Sequence, residues 1–160
     1  MKQSAYQYSL YLLSGQDYSE YKLRQKLKLK GFEAPEIDET LTKLIEKNYL
    51  RHEEYQRLLT RKLIAKGYSD SLIKRRAEQE SLQIDSFELQ TQRSDLDLSS
   101  QDIIIQLIKK KLRSRSIPTD KLEKQKLKDK VLRFVLSKGH SYQDCKTAIE
   151  SEFKIFLEAE

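Results

Sequence analysis

The chain has 160 residues, enough for one mid-sized domain or a few small modules that share a core. Only 4 Gly and 2 Pro occur, which favours helices over a turn-rich all-β fold, and 38% hydrophobic residues at regular spacing exclude a disordered chain. The 31 Lys and Arg exceed the 25 Asp and Glu by a net +6, a balance that suits nucleic acid or an acidic protein partner.

The apolar residues keep helical spacing almost throughout. A first helix is predicted over 5–14, with Ser4 and Gln7 as a capping box and Gly15 as a stop. A second starts after Ser19 as N-cap, carries Leu23 and Leu27, and ends at Lys30-Gly31, with Gly31 left-handed and Phe32 packing back. A third opens with Pro35 as its first residue and presents Ile37, Leu41, Leu44 and Ile45 inward, closing at a left-handed Asn48. The fourth covers 52–66, with Tyr55, Leu58, Leu59, Leu63 and Ile64 inward and Gly67 as its stop. Ser69 begins a fifth, through about 81, with Leu72, Ile73 and Ala77 inward. Asp85 and Glu88 cap a short sixth helix, and the polar stretch 91–100 reads as a linker. The seventh spans 102–113, built on Ile103, Ile104, Ile105, Leu107, Ile108 and Leu112. A segment containing Pro118 breaks it. The eighth spans 121–138, with Leu127, Val131, Phe134 and Val135 inward and Gly139 as stop. Ser141 and Asp144 cap the ninth, which runs toward Phe156.

The helices fall into three groups of three whose first members begin near 5, 52 and 102, the signature of a tandem repeat. The expected architecture is all-α, three three-helix repeats over 1–50, 51–98 and 99–160 in an elongated or crescent arrangement.

Within this pattern Ser19, Leu23, Leu27, Lys30-Gly31-Phe32, Leu44, Asn48-Tyr49-Leu50 and Tyr55 resemble the first repeat of the RecX family. Val131-Leu132-Arg133-Phe134-Val135-Leu136 and Lys138-Gly139-His140-Ser141-Tyr142 resemble its C-terminal repeat, and Lys66-Gly67, Ile73, Arg76 and Ile84-Asp85 fit its second repeat more loosely. The sequence departs from the family at Asn48, where Gly is usual, and at Arg51-His52, which replaces part of an acidic pair. Leu82-Gln83 stands in place of the second Lys-Gly stop, and His140 replaces an aromatic. The resemblance implies a protein that lies in the groove of the RecA recombinase filament on DNA. It would modulate, and as a rule inhibit, strand exchange, nucleotide hydrolysis and co-protease action. It also implies affinity for single- and double-stranded DNA.

The sharpest local feature is a run from 109 to 133 with 11 basic and 3 acidic residues, a local +8 that leaves the rest of the chain at −2. It comprises Lys109, Lys110, Lys111, Arg113, Arg115, Lys121, Lys124, Lys126, Lys128, Lys130 and Arg133. Lys124 and Lys128 share one helix face; Lys126, Lys130 and Arg133 share the next. Such an array neutralises phosphates or meets an acidic groove, against the plain alternative of a solvated face. A second stripe, Lys22, Lys26 and Lys30 with Arg24 and Lys28 beside it, reads equally as a binding or a solvated face. Lys74-Arg75-Arg76 reads as solvated.

Of the nine tyrosines, Tyr6, Tyr8, Tyr11, Tyr18 and Tyr21 crowd the N-terminal quarter and read as interhelical packing rather than base-stacking platforms. Tyr49, Tyr55 and Tyr142 recur at repeat junctions as structural residues. Cys145 reads as a half-buried packing residue, although a helix N-terminus could lower its thiol pKa. One cysteine allows no intramolecular disulfide or cysteine metal site, His52 and His140 are not in ligand spacing, and no phosphate-binding glycine loop or nucleophile elbow occurs. No enzyme activity, metal or cofactor is expected. Without an apolar signal region or a stretch long enough to span a bilayer, the expectation is a cytoplasmic monomer with no membrane partner. Two other classes stay open: a stand-alone DNA-binding protein with helix-turn-helix-like modules, and an adaptor with protein partners only.

Overall fold

The computed structural model of the chain describes residues 3–113, 115–116 and 118–158. These contain nine helices and no strand: α1 (Ala5–Gly15), α2 (Glu20–Lys30), α3 (Ala34–Glu46), α4 (His52–Ala65), α5 (Asp70–Glu78), α6 (Ser86–Asp95), α7 (Ser100–Leu112), α8 (Lys121–Leu136) and α9 (Tyr142–Leu157). The all-helical reading and the three-by-three helix order hold among the described residues. They pack as two compact units, one of Met1–Thr60 with Arg76–Ile84, the other of Arg61–Arg75 with Asp85–Glu160. The middle group of helices is thus divided between the two units.

The helix starts follow from side chains that satisfy the first free N–H groups. Ser4 and Gln7 form the expected reciprocal capping box, each accepting the other's backbone N–H at 3.2 Å. A second acceptor for this turn arrives from far along the chain: the Glu36 carboxylate takes the Ala5 N–H at 2.9 Å. Ser19, Asp85 and Ser141 cap α2, α6 and α9 as expected. Ser99 with Asp102 makes a capping box for α7 that the residue pattern alone had not suggested.

The helix stops share one geometry. Gly31, Asn48, Gly67, Ser81, Asp97 and Gly139 all take positive φ, between 51° and 92°. After five of them the next residue turns its N–H back to the carbonyl five positions earlier: Phe32 to Leu27, Tyr49 to Leu44, Tyr68 to Leu63, Leu82 to Ala77 and Leu98 to Arg93. Asn48 therefore makes the same left-handed stop as Gly31 and Gly67. In the second repeat the stop lies at Ser81, one residue before Leu82, and Leu82 packs back as Phe32 does; both follow their left-handed residue, and Leu82 is buried.

Several expectations need correction. Gly15 is the last residue of α1, and the helix ends at Gln16 in an extended conformation, so Gly15 is not a left-handed stop. Ala34 precedes Pro35 in α3, which makes Pro35 the second helical residue. Ile45 is 50% exposed and Leu58 is also exposed, because both fall at the margin of their helix's apolar stripe. Helix α6 runs on to Asp95 and α7 begins at Ser100, so 91–100 is not a linker. Two of its polar residues, Gln92 and Arg93, are buried; the Arg93 side chain is 8% exposed, with Nη2 2.5 Å from Asp70 and also donating to the Tyr68 carbonyl at 3.3 Å. Tyr49 and Tyr142 are exposed at their junctions, and Tyr11, stacked on Tyr8, is exposed as well.

The first unit's core is Ala5, Tyr18, Leu23, Leu27, Ile37, Leu41, Leu44 and Leu50, with Tyr6, Tyr8, Leu10, Leu12, Leu13 and Phe32 packed against it. At its edge Glu80 accepts from Lys22 Nζ at 2.5 Å and from the Tyr55 hydroxyl at 2.7 Å. The second unit is built on α7, which packs against both α8 and α9, while α8 also packs on α9. Its buried residues include Ile103, Ile104, Leu107, Ile108, Leu112, Val131, Val135, Cys145, Ile149 and Phe153. Leu127 and Phe134 of α8 are only half-buried.

Candidate nucleic-acid and partner interface

The basic run lies wholly in the second unit, on the last turn of α7, the segment after it, and α8. Lys109, Lys110 and Lys111 occupy the last turn of α7, where the negative end of the helix dipole favours cations. The structure sends them apart. Lys109 reaches α9, with Nζ 3.7 Å from the buried Glu152 carboxylate. Lys111 folds over the Phe134 ring of α8, 4.7 Å from its centroid. Lys110 stays exposed, with Arg113 and Arg115 beyond it.

On α8, Lys121, Lys126, Lys130 and Arg133 are exposed, and Lys124 and Lys128 are half-buried. The three acids of the run are engaged elsewhere or placed to serve the helix. Asp120 accepts the Leu122 and Glu123 N–H groups as N-cap, Glu123 sits in the first turn, and Asp129 accepts from Gln125 at 2.8 Å. Arg133 donates to the Asp129 carbonyl at 3.4 Å. Among the described residues, Lys109 is the one cation of the run in a salt bridge. Lys121 and Lys124 stand near the positive end of the α8 dipole, an arrangement that costs a few tenths of a kcal/mol, up to about 1 kcal/mol, per exposed charge. Folding does not need it; an anionic ligand would offset it.

The stripe on α2 has a different character. Lys22 is drawn to Glu80 and Arg24 to Asp38, with Glu20 3.5 Å away. The hydrogen bond that Arg24 donates to Asp38 raises its already high pKa further, against the opposing effect of burial. Lys30 lies over the Tyr8 ring at 5.1 Å from its centroid. Lys26 is exposed. Three of the stripe's five cations are therefore spent within the first unit, and Lys28, like Lys26, is exposed. Sequence reasoning missed Glu152, the acid that meets Lys109, and Ile155 and Phe156, which share its face of α9. No local signal connects α9 with α7; the link is made by the pairing of the two helices.

Among the described residues no group of three or more His, Cys, Asp or Glu is placed to hold a metal, and no helix is long and apolar enough to cross a membrane.

The family model described as RecX, first three-helix domain, matches residues 5–44. Regulatory protein RecX of Vibrio cholerae serotype O1 is 38% identical over 73 residues, 46% of this chain and 48% of that protein, so the chain spans about half the length of these relatives where it matches them. Regulatory protein RecX of Mannheimia succiniciproducens is 28% identical over 141 residues, 88% of each chain. The crystal structure of RecX from Lactobacillus salivarius superposes with a TM-score of 0.60 at 19% identity, covering 98% of this chain and 96% of that one, and shows the shared fold. The chain is thus similar to RecX proteins in its first three-helix domain by family model, over most of its length by sequence, and in fold.

Proposed function

We propose that this protein is a non-enzymatic regulator that binds the RecA recombinase filament on DNA and lowers its strand-exchange, nucleotide-hydrolysis and co-protease activities. The relatives' name, regulatory protein RecX, supports the regulatory part of this reading. The observation that carries it further is the cation array of α8 and the α7 end, of which Lys109 alone forms a salt bridge among the described residues, next to a chain that is otherwise near electrical neutrality. A fixed array of ammonium groups gains affinity by releasing counterions condensed on DNA, and it suits equally the phosphate-rich groove of a nucleoprotein filament. On this reading the protein works in the cytoplasm as a monomer. It contacts single- and double-stranded DNA through α8, with the second repeat over 51–98 joining the first, 1–50, to the third, 99–160.

The test is RecA nucleotide hydrolysis on single-stranded DNA with and without the protein, at about 150 mM salt, where exposed charges are screened beyond roughly 8 Å. A dose-dependent fall in hydrolysis is expected. Unchanged hydrolysis together with tight binding to bare DNA would establish a stand-alone DNA-binding protein instead.

A further inference from the structure

Beside the basic face, α7 and α9 enclose an open cleft of about 800 Å³ in the second unit. Its α7 wall carries Lys109, Lys110, Leu112 and Arg113, and its α9 wall carries Glu152, Ile155 and Phe156. Both walls follow from helical spacing: 109, 112 and 113 share one face of α7, and 152, 155 and 156 share one face of α9. The floor is apolar. Leu112 is buried, Ile155 is 55% exposed, and Phe156 is held by an edge contact to the buried Phe153 with ring centroids 6.0 Å apart. The rim is cationic, and the single carboxylate of the lining, Glu152, is already met by Lys109. Lys110 and Arg113 remain exposed and form no salt bridge among the described residues.

We infer that this cleft binds an acidic peptide segment of a protein partner, one that carries at least one large aliphatic side chain. Charge complementarity supplies the acid: exposed cations surround the opening, and a carboxylate-bearing strand or helix meets them without a like-charge clash. The apolar floor sets the rest of the chemistry. A phosphate backbone gains nothing from an exposed isoleucine, whereas a leucine or isoleucine seated on Ile155 and Phe156 removes apolar surface from water on both partners. The cleft therefore divides labour with α8: phosphates go to the lysine face, and the polypeptide goes between α7 and α9. The inference rests on the proposed function for the existence of a protein partner, while the chemistry of the cleft stands on its own lining.

The experiment uses the full chain and three fluorescein-labelled probes: a short peptide of Asp, Glu and Ser with two central leucines, its twin with Ser in place of the leucines, and an oligothymidylate. The leucine peptide is expected to bind about tenfold more tightly than its twin, the equivalent of one well-seated aliphatic side chain. Ile155→Ser, a change at an exposed position checked by an unchanged melting temperature, is expected to abolish that difference and leave oligothymidylate binding intact. Arg113→Glu is expected to weaken both peptides, while Lys126→Gln with Lys130→Gln leaves both as they were. Equal binding of the two peptides, binding of neither, or an equal loss of oligothymidylate and peptide in Ile155→Ser would overturn the inference. None of these outcomes touches the RecA hydrolysis result, so the two readings fail separately.

Discussion

His140 Nε2 lies 2.8 Å from the Gly67 carbonyl oxygen, joining the turn after α8 to the turn after α4. The same two turns are tied by the Ser69 N–H, which donates to the Lys138 carbonyl at 2.9 Å, and by Lys138 Nζ over the Tyr68 ring. A helix stop is thus also a docking surface here, and the His140 imidazole supplies one of its hydrogen bonds.

Gly139 is the tightest point of this joint. It has φ of 86°, and a Cβ added there would meet Ser69 Oγ at 2.6 Å and Leu72 Cβ at 2.9 Å. Gly31 has a similar φ of 92° with nothing within 4 Å. Gly31→Ala is expected to cost only backbone strain, about 1 kcal/mol, and Gly139→Ala that plus a steric term, about 2–4 kcal/mol in all. Urea denaturation of the two variants measures the gap; equal losses would mean that the Gly139 contact is not tight.

Glu80 links two elements of the first unit through Lys22 and Tyr55. Burial first, and the Glu80 hydrogen bond second, push the Tyr55 phenol well above its ordinary value of 10.0. Because the folded state holds that proton more firmly than the unfolded chain, the stabilisation is complete below about pH 10 and fades as pH rises beyond it. Tyr55→Phe should cost about 1 kcal/mol at neutral pH and flatten the alkaline fall in stability. Melting temperatures of the two proteins from pH 8 to 11 check both effects, and parallel curves would remove Tyr55 from the account.

Cys145 is buried in the first turns of α9, and burial, with the Asp144 charge adding to it, pushes its thiol up to about 11. The helix N-terminus that could have lowered this pKa is outweighed by desolvation. The thiol should react with a disulfide reagent at pH 8 far more slowly in the native protein than in urea. Comparable rates would show that the thiol is accessible in the folded state.

Changing Lys124, Lys126, Lys128 and Lys130 together to Gln preserves helix propensity and removes cations that form no salt bridge among the described residues. The stability loss should stay below about 1 kcal/mol, arising from the stems of the half-buried Lys124 and Lys128. Binding to RecA–DNA filaments should weaken, and its dependence on log salt should become shallower by up to about 0.9 for each phosphate no longer neutralised. A folded variant with an unchanged salt slope would move the electrostatic anchor away from α8, with Lys26 on α2 the next residue to change.

The helix starts and most stops were legible because they are local: a Ser or Asp followed by its acceptor three residues on, or a Gly or Asn after a periodic run. What escaped was held by distant partners. Arg93 read as a linker residue because its burial depends in part on Asp70, which lies 23 positions before it. Ser81 and Asp97 escaped because a left-handed serine or aspartate is uncommon outside a strongly determined turn. The basic run itself was plain in the sequence, but its division among Glu152, Phe134 and solvent depends on how α7 packs against its neighbours.

The Ala5–Glu36 hydrogen bond gives α1 a dependence on time. The Ser4–Gln7 box is complete as soon as those residues leave the ribosome, but the Glu36 carboxylate follows Ala5 by 31 positions. At synthesis rates of about 5–20 residues per second this is a wait of roughly 2–6 s, long compared with the microsecond scale of helix relaxation. Through that interval α1 fluctuates, and it becomes fixed only when α3 comes into reach.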